Sequence, residues 1–303
     1  MQNFGKVAVL MGGFSSERDI SLKSGEAIVA ALKSKGVDAH AFDPKERPLS
    51  ELKSQGFDVA FNILHGTYGE DGIIQGALEM LGVRYTGCGV LASAIGMDKY
   101  RCKLLWKALD LPVPDYAVLN DDTDFEAVER QLGLPLFAKP AAEGSSVGVI
   151  KVKTAGGLKA AYKEIKHMHG EILAEQFVGG GEYACSVLNG EALPSIRIIP
   201  ATEFYDKEAK YERNDTVYMC PSDLSEADEQ KMGELALKAF AAVGGEGSGR
   251  VDFLKDEQGK LYLLEVNTLP GMTATSLFPK AAAHKGMTFA DLCIEILKSA
   301  HVG

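Results

Sequence analysis

The sequence predicts an α/β fold in which a parallel-sheet domain precedes a part built on β-hairpins. Up to Gly87, apolar strand-like runs alternate with helical stripes, the pattern of βαβ units. Further on, two pairs of strand-like segments flank short turns, at Glu143-Gly-Ser-Ser146 and at Gln258-Gly259, and read as hairpins. The chain has 303 residues, too many for one compact core, so two or three domains are expected.

Residues 6–11 are a short apolar run ended by Gly12-Gly13, a first strand and its turn. A helical stripe of Ile20, Ala27, Ile28, Ala31 and Leu32 follows and stops at Gly36. Val37, Ala39 and Ala41 alternate as a strand, residues 57–64 form another, and Ile73, Ile74, Ala77, Leu78 and Leu81 form a second helical face ending at Gly82. Glycines and small residues cluster at 87–96 and mark a boundary. Residues 99–109 are helical up to the break at Pro112 and Pro114, and Thr123-Asp-Phe-Glu126 has the spacing of a capping box. Residues 134–140 and 147–153 form the first hairpin, 158–168 a helix, and 172–177 and 183–188 further strands. Residues 203–223 are polar, tyrosine-rich and aperiodic, as expected of a functional lid. Ser225 and Asp228 open a helix whose apolar side carries Met232, Leu235, Ala236, Ala239, Phe240 and Val243. Residues 250–255 and 261–266 form the second hairpin, and Thr288 with Asp291 caps the last helix.

Composition narrows the function. The net charge of −10 disfavours a nucleic-acid partner, which needs a basic surface. No apolar run reaches the ~20 residues of a membrane span, and the N-terminal run is too short for an export signal. The five cysteines are scattered and lack a CxxC, which fits a reducing cytoplasm and neither a disulfide framework nor a structural zinc site.

The second hairpin carries the strongest chemical signal. Side chains alternate along a strand, so Arg250 and Asp252 share a face, as do Glu265 and Asn267. A turn centred on Gln258-Gly259 sets Asp252 opposite Glu265 and Arg250 opposite Asn267, with Val251, Phe253, Leu264 and Val266 filling the other face. Two carboxylates that close repel unless a cation lies between them, and hard oxygen donors beside phosphate oxygens are how Mg²⁺ is usually held. A solvent-facing edge of alternating charge accounts for the same residues. Lys139, with the small-residue loop 143–148 after it, suits phosphate binding, although a plain hairpin turn has the same composition. Glu175 to Val178, followed by Glu182, is a strand running into a linker that can offer backbone groups to a base and carboxylates to ribose. Strand-end glutamates are more often merely solvated.

Taken in order, Lys99 in Met-Asp-Lys, Lys139 in Ala-Lys-Pro, the Glu-Gly-Ser-Ser-Val-Gly loop, Glu175, Glu182, Lys210-Tyr211, Arg250-x-Asp252 and Glu265-x-Asn267 resemble an ATP-grasp enzyme. Gly12-Gly13-Phe14-Ser15-Ser16-Glu17-Arg18, Leu64-His65-Gly66, Gly69-Glu-Asp-Gly72, Tyr85-Thr-Gly87 and Asn267-Thr-Leu-Pro-Gly271 with Ser276-Leu277 are similar to the D-alanine–D-alanine ligase family over essentially the whole chain. The resemblance implies a Rossmann-like N-terminal domain (1–97) and a two-part ATP-grasp fold (98–178 and 179–303). It implies that Lys99 and Lys139 contact ATP phosphates, that the Ser145 loop closes over them, that Glu175 and Val178 recognise adenine, and that Glu182 takes the ribose. It further implies two Mg²⁺ or Mn²⁺ ions on Asp252, Glu265 and Asn267, with Glu265 bridging. Glu17 and His65 would bind the ammonium of the first D-alanine. Ser276, Leu277 and Lys210 would bind the second, and Arg250 with the Gly271 N–H would face the oxyanion. Tyr211, Ser145 and Glu17 would link lid, loop and N-terminal domain. A homodimer is implied as well. In this family a tyrosine beside the lid lysine goes with an amine as second substrate and phenylalanine with a hydroxy acid, so Tyr211 favours D-alanine over D-lactate. A non-catalytic nucleotide-binding module is expected to have lost metal ligands or Arg250, and a nicotinamide dehydrogenase to carry GxGxxG; neither pattern is found.

Overall fold

In the computed structural model, which describes residues 3–144, 146–201 and 215–302, strand β1 (Lys6–Leu10) is central to the N-terminal sheet, with Val7, Ala8, Val9 and Leu10 fully buried. Helix α1 (Arg18–Ser34), β2 (Asp38–Phe42), α2 (Glu51–Ser54), β3 (Val59–Asn62), α3 (Ile73–Leu81) and β4 (Arg84–Tyr85) follow, and the sheet runs β2-β1-β3-β4 with every pairing parallel. A parallel sheet is covered on both faces, so its central strand reads as continuous apolar sequence. Val7 and Val9 pack with Ile28 and Leu32 of α1. Ala8 and Leu10 pack with Leu52, Ile74 and Leu78 of α2 and α3 on the other side. In edge strand β2 the expected alternation is incomplete: Ala39 is buried, Ala41 exposed.

The sheet-facing stripe of α1 also departs from the expected one. Ile28 and Leu32 are buried, but beside them lie Ser21, Ser24 and Gly25, with Ile20 and Ala27 only partly covered. Small residues let the helix approach: a Cβ added to Gly25 would meet the Met11 side chain at 2.5 Å. Ser21 Oγ donates to Ile63 O (2.6 Å) and accepts from Gly12 N (2.9 Å), which fixes the helix start against the loops after β1 and β3.

The small-residue boundary at 87–96 contains a helix, α4 (Val90–Gly96). Asp98 then caps α5 (Lys99–Ala108) by accepting from Arg101 N at 2.9 Å. The second sheet is antiparallel, in the order β5 (Tyr116–Leu119), β8 (Ile172–Gln176), β6 (Leu136–Pro140), β7 (Ile150–Val152). Helices α6 (Phe125–Leu132) and α7 (Gly157–Ile165) cover one face over Leu136, Ala138, Ile172 and Ala174. The cap of α6 is Asp124, which accepts from Ala127 N at 3.0 Å; Thr123, one residue earlier, instead accepts from Asn120 N.

The third sheet comprises β9 (Gly181–Leu188), β10 (Glu191–Ala192), β11 (Ile196–Ile199), β12 (Val217–Met219), β13 (Ser248–Lys255) and β14 (Leu261–Asn267), in the order β12-β11-β9-β13-β14 with β10 beside β9. Strand β12 falls within the stretch expected to be aperiodic, of which 203–214 lies outside the described residues. Helix α8 (Glu226–Ala242) covers this sheet with the expected residues Met232, Ala236, Ala239 and Phe240. Gly249 is required beneath it, because a Cβ there would meet the Phe240 ring at 2.3 Å. The last helices, α9 (Leu277–His284) and α10 (Phe289–Lys298), return to the N-terminal sheet: Leu277, Phe278, Leu292 and Ile296 share a core with Val7, Val9 and with Ile196 and Ile198 of β11. Thr288 and Asp291 form the expected capping box of α10.

Candidate active site

Between the second and third sheets lies a cavity of about 300 Å³ whose walls include Lys99, Lys139, Glu175, Val178, Glu182 and Glu265. Alternation along β6 explains half of it. Leu136 and Ala138 point to the helices, which sends Phe137 and Lys139 to the cavity, and Phe137 stands opposite Glu175 of β8. The Phe137 and Phe177 rings, 6.0 Å apart, give the cavity an apolar wall beside its charges.

Glu175 is only 2% exposed and its carboxylate is gripped at both oxygens. Lys139 Nζ lies 2.7 Å from Oε1, and Lys103 Nζ lies 2.5 Å from Oε2. Burial pushes the Glu175 carboxyl up, but the two lysines together pull it below its ordinary value. The carboxylate expected to read adenine is thus also the anchor of a buried ionic group. Sequence reasoning missed Lys103. The available signal was its position four residues after Lys99 on α5, which stacks the two lysines on one helix face.

Lys99 opens α5, where the helix dipole disfavours a cation. Its Nζ donates to Glu143 O (2.7 Å) and lies 3.4 Å from Glu265 Oε2, so it spans the cavity from the β6–β7 loop to the β13–β14 hairpin. In that hairpin the expected register holds: Asp252 faces Glu265 and Arg250 faces Asn267. The pairing then slips, and Phe253 faces Leu263, which leaves Leu264 as an extra residue. Leu263, and not Leu264 as the sequence suggested, therefore enters the core, while Leu264 joins Glu265 in the cavity wall.

Arg250 donates from Nε and Nη2 to the two oxygens of Asp252 (2.7 and 2.8 Å), and Asn267 Oδ1 accepts from Leu269 N at 3.0 Å. Among the described residues no three His, Cys, Asp or Glu side chains converge into a metal cage. The donors present, two facing carboxylates and an amide oxygen, fit a hard cation that completes its shell with ligand and water oxygens, which is the habit of Mg²⁺.

A second group of expected residues gathers at the N-terminal domain. Glu17 stands at the cap position of α1 and runs along the loop after β3, where a Cβ added to Gly66 would lie 3.0 Å from its Oε2. Ser15 Oγ donates to His65 O (2.6 Å), and Glu70 accepts from Gly66 N (2.7 Å). His65 is 7% exposed, its Nδ1 lies 3.6 Å from Glu70, and its buried Nε2 makes no hydrogen bond. On the loop after β14, Ser276 Oγ accepts from Thr273 N at 3.0 Å, and a Cβ on Gly271 would lie 3.0 Å from that oxygen. Leu277 follows as the first residue of α9, and its side chain belongs to the apolar core. Ser145, Lys210 and Tyr211 lie outside the described residues.

Two β-layers closing on a cavity with lysines at one end and a carboxylate hairpin at the other make the architecture of an ATP-grasp enzyme. The family described as D-ala D-ala ligase C-terminus matches residues 105–298, and the one described as D-ala D-ala ligase N-terminus matches residues 39–88. The chain is 74% identical over 304 residues to a D-alanine–D-alanine ligase of Neisseria meningitidis serogroup A, with 100% of both chains covered. The crystal structure of D-alanine–D-alanine ligase from Bacillus anthracis superposes with a TM-score of 0.86 at 34% identity, covering 97% of this chain and 96% of that one. The same enzyme complexed with ATP gives a TM-score of 0.84 at 32% identity, with the same coverage. The chain belongs to the D-alanine–D-alanine ligase family.

Proposed function

We propose that the protein joins two molecules of D-alanine into D-alanyl-D-alanine, a peptidoglycan precursor, with conversion of ATP to ADP and phosphate. The observation that carries this reading is the end-to-end match at 74% identity, which spans the N-terminal Glu17–His65 group as well as the cavity. The carboxylate of the first D-alanine attacks the γ-phosphorus and ADP leaves. The amine of the second D-alanine then attacks the acyl carbon, its proton is lost, and phosphate departs with the acyl oxygen.

Each residue has a task in this sequence. Val178 and Glu175 frame the adenine, Glu182 takes the ribose hydroxyls, and Lys99 and Lys139 hold the phosphates under the Ser145 loop. Asp252, Glu265 and Asn267 would hold the Mg²⁺ or Mn²⁺ ions. Such ions, when bound, offset the repulsion between an attacking carboxylate and the γ-phosphate. Glu17, with His65, pairs with the first ammonium, and Ser276, Leu277 and Lys210 receive the second substrate. Arg250 and the Gly271 N–H stabilise the tetrahedral oxyanion, where loss of one donor typically costs about 3 kcal/mol. Tyr211 ties a lid, drawn from the part of 203–223 that precedes β12, to Ser145 and Glu17, which excludes water from an acyl phosphate that would otherwise hydrolyse.

The working unit is a cytoplasmic homodimer divided at 97/98 and 178/179. Exposed Ile73, Val90 and Leu91 on neighbouring helices α3 and α4 support the dimer, and light scattering of the purified protein tests it. The five cysteines, all free thiols, support the reducing compartment. ADP release screened across D-amino and D-hydroxy acids tests the reaction: D-alanine should be preferred to D-lactate as second substrate, and preference for D-lactate would make the product an ester.

A further inference from the structure

Lys103 is the one lysine among the described residues that is fully buried. It sits beneath the nucleotide cavity and not in its wall. Burying an ammonium is costly, and a buried ion pair is often no more stable than apolar residues of the same volume. Burial pulls Lys103 down to about 8, and the adjacent Glu175 carboxylate opposes that pull. A cost of that kind needs a return other than stability.

Charge counting supplies one. Lys139 and Glu175 alone would form a neutral pair, with the Lys139 ammonium committed to its own counterion. Lys103 occupies Glu175 Oε2 at 2.5 Å, leaving Oε1 to Lys139 at 2.7 Å. The three groups then carry a net charge of one positive unit, and of the two lysines only Lys139 lines the cavity. Helix α5 delivers both supports from one face: Lys99 reaches Glu265, and Lys103, one turn later, reaches Glu175. We propose that Lys103 is a positioning residue of the nucleotide site: it neutralises and orients Glu175, so that Lys139 keeps an uncompensated charge for the nucleotide phosphates. This deepens the function proposed above and rests on it.

The test is a double-mutant cycle in the full-length protein with Lys103→Met, Glu175→Gln and the pair. ADP affinity is read by calorimetry without D-alanine, and KM for ATP and kcat are read with D-alanine. Removing the support of one buried ionic contact should weaken ADP binding and raise KM for ATP about tenfold with kcat nearly unchanged. In the Glu175→Gln background Lys103 has lost the carboxylate that keeps a buried ammonium charged, so the same replacement removes no charge and should change affinity less than about twofold. Lys103→Gln, which keeps a donor but no charge, is run in parallel and read in the same way should the Met variant fold poorly. An equal loss in both backgrounds, or unchanged ADP affinity in folded Lys103→Met or Lys103→Gln, would overturn the proposal. ADP binding is independent of the second half of the reaction, so a wild-type protein that binds ADP but ignores D-alanine would refute the ligase reading and leave Lys103 still testable.

Discussion

Asp252 faces Glu265 across the β13–β14 ribbon, and each carboxylate has its own cation: Arg250 for Asp252 and Lys99 for Glu265. Like charges directly opposite on a ribbon are destabilising. The two cations offset that repulsion, and the extra residue Leu264 places Glu265 in the cavity wall beside Lys99. Charge is concentrated here on rigid strands, which is where a site that positions phosphates is best built.

Glu265→Gln should therefore abolish turnover and leave the fold intact. The side chain is only partly buried and the replacement is isosteric, so the melting temperature should stay near that of wild type. Steady-state rate and thermal denaturation check this together. A folded variant with near-normal activity would mean that the hairpin is not the cation site.

Trp106 is fully buried and joins α5 to the end of α8, where its indole N–H donates to Ala239 O at 3.0 Å. The last carbonyls of a helix have no partner within it, so this bond satisfies one of them. Trp106→Phe should cost about 1–3 kcal/mol, the usual penalty for a buried acceptor left unpaired. Urea unfolding measures it, and an unchanged midpoint and slope would show that Ala239 finds another donor.

Asp291 ties the start of α10 to Lys35 just beyond α1 at 2.7 Å. The Lys35 ammonium, then the Thr288 hydroxyl and N–H, hold its carboxyl down from 3.8 to about 2. Because the folded value is the lower one, the contribution to stability is complete above 3.8 and is lost as pH falls through about 2. The melting temperature of Asp291→Asn should lie below wild type at neutral pH, and the gap should close across that acid window. A gap independent of pH would assign the effect to capping geometry and not to charge.

The hairpin register was legible because alternating charged and apolar residues converge on one turn, at Gln258-Gly259. The bulge at Leu264 was not, since nothing in an apolar pair such as Leu263-Leu264 says which member faces the core. The cap at Asp124 is hard to separate from its neighbour Thr123 because both residue types are common helix caps and Thr123 with Glu126 has the spacing of a capping box. Short elements with mixed exposure, such as β5 and β12, carry too little periodicity to stand out. In the site, Lys139, Glu175 and Glu182 could be named from their motifs, but Lys103 could not. A lysine on an amphipathic helix is ordinarily solvent-facing, and its partner Glu175 is distant in sequence.

The central claim is that this chain couples ATP cleavage to D-alanine. The measurement that tests it most directly is ADP release by the purified protein, run with D-alanine, with L-alanine and without either, in the presence and absence of Mg²⁺, with the product identified by mass. ADP release that requires both D-alanine and Mg²⁺ and is matched by D-alanyl-D-alanine is the predicted result. Equal release with L-alanine, or none with D-alanine, would contradict the account.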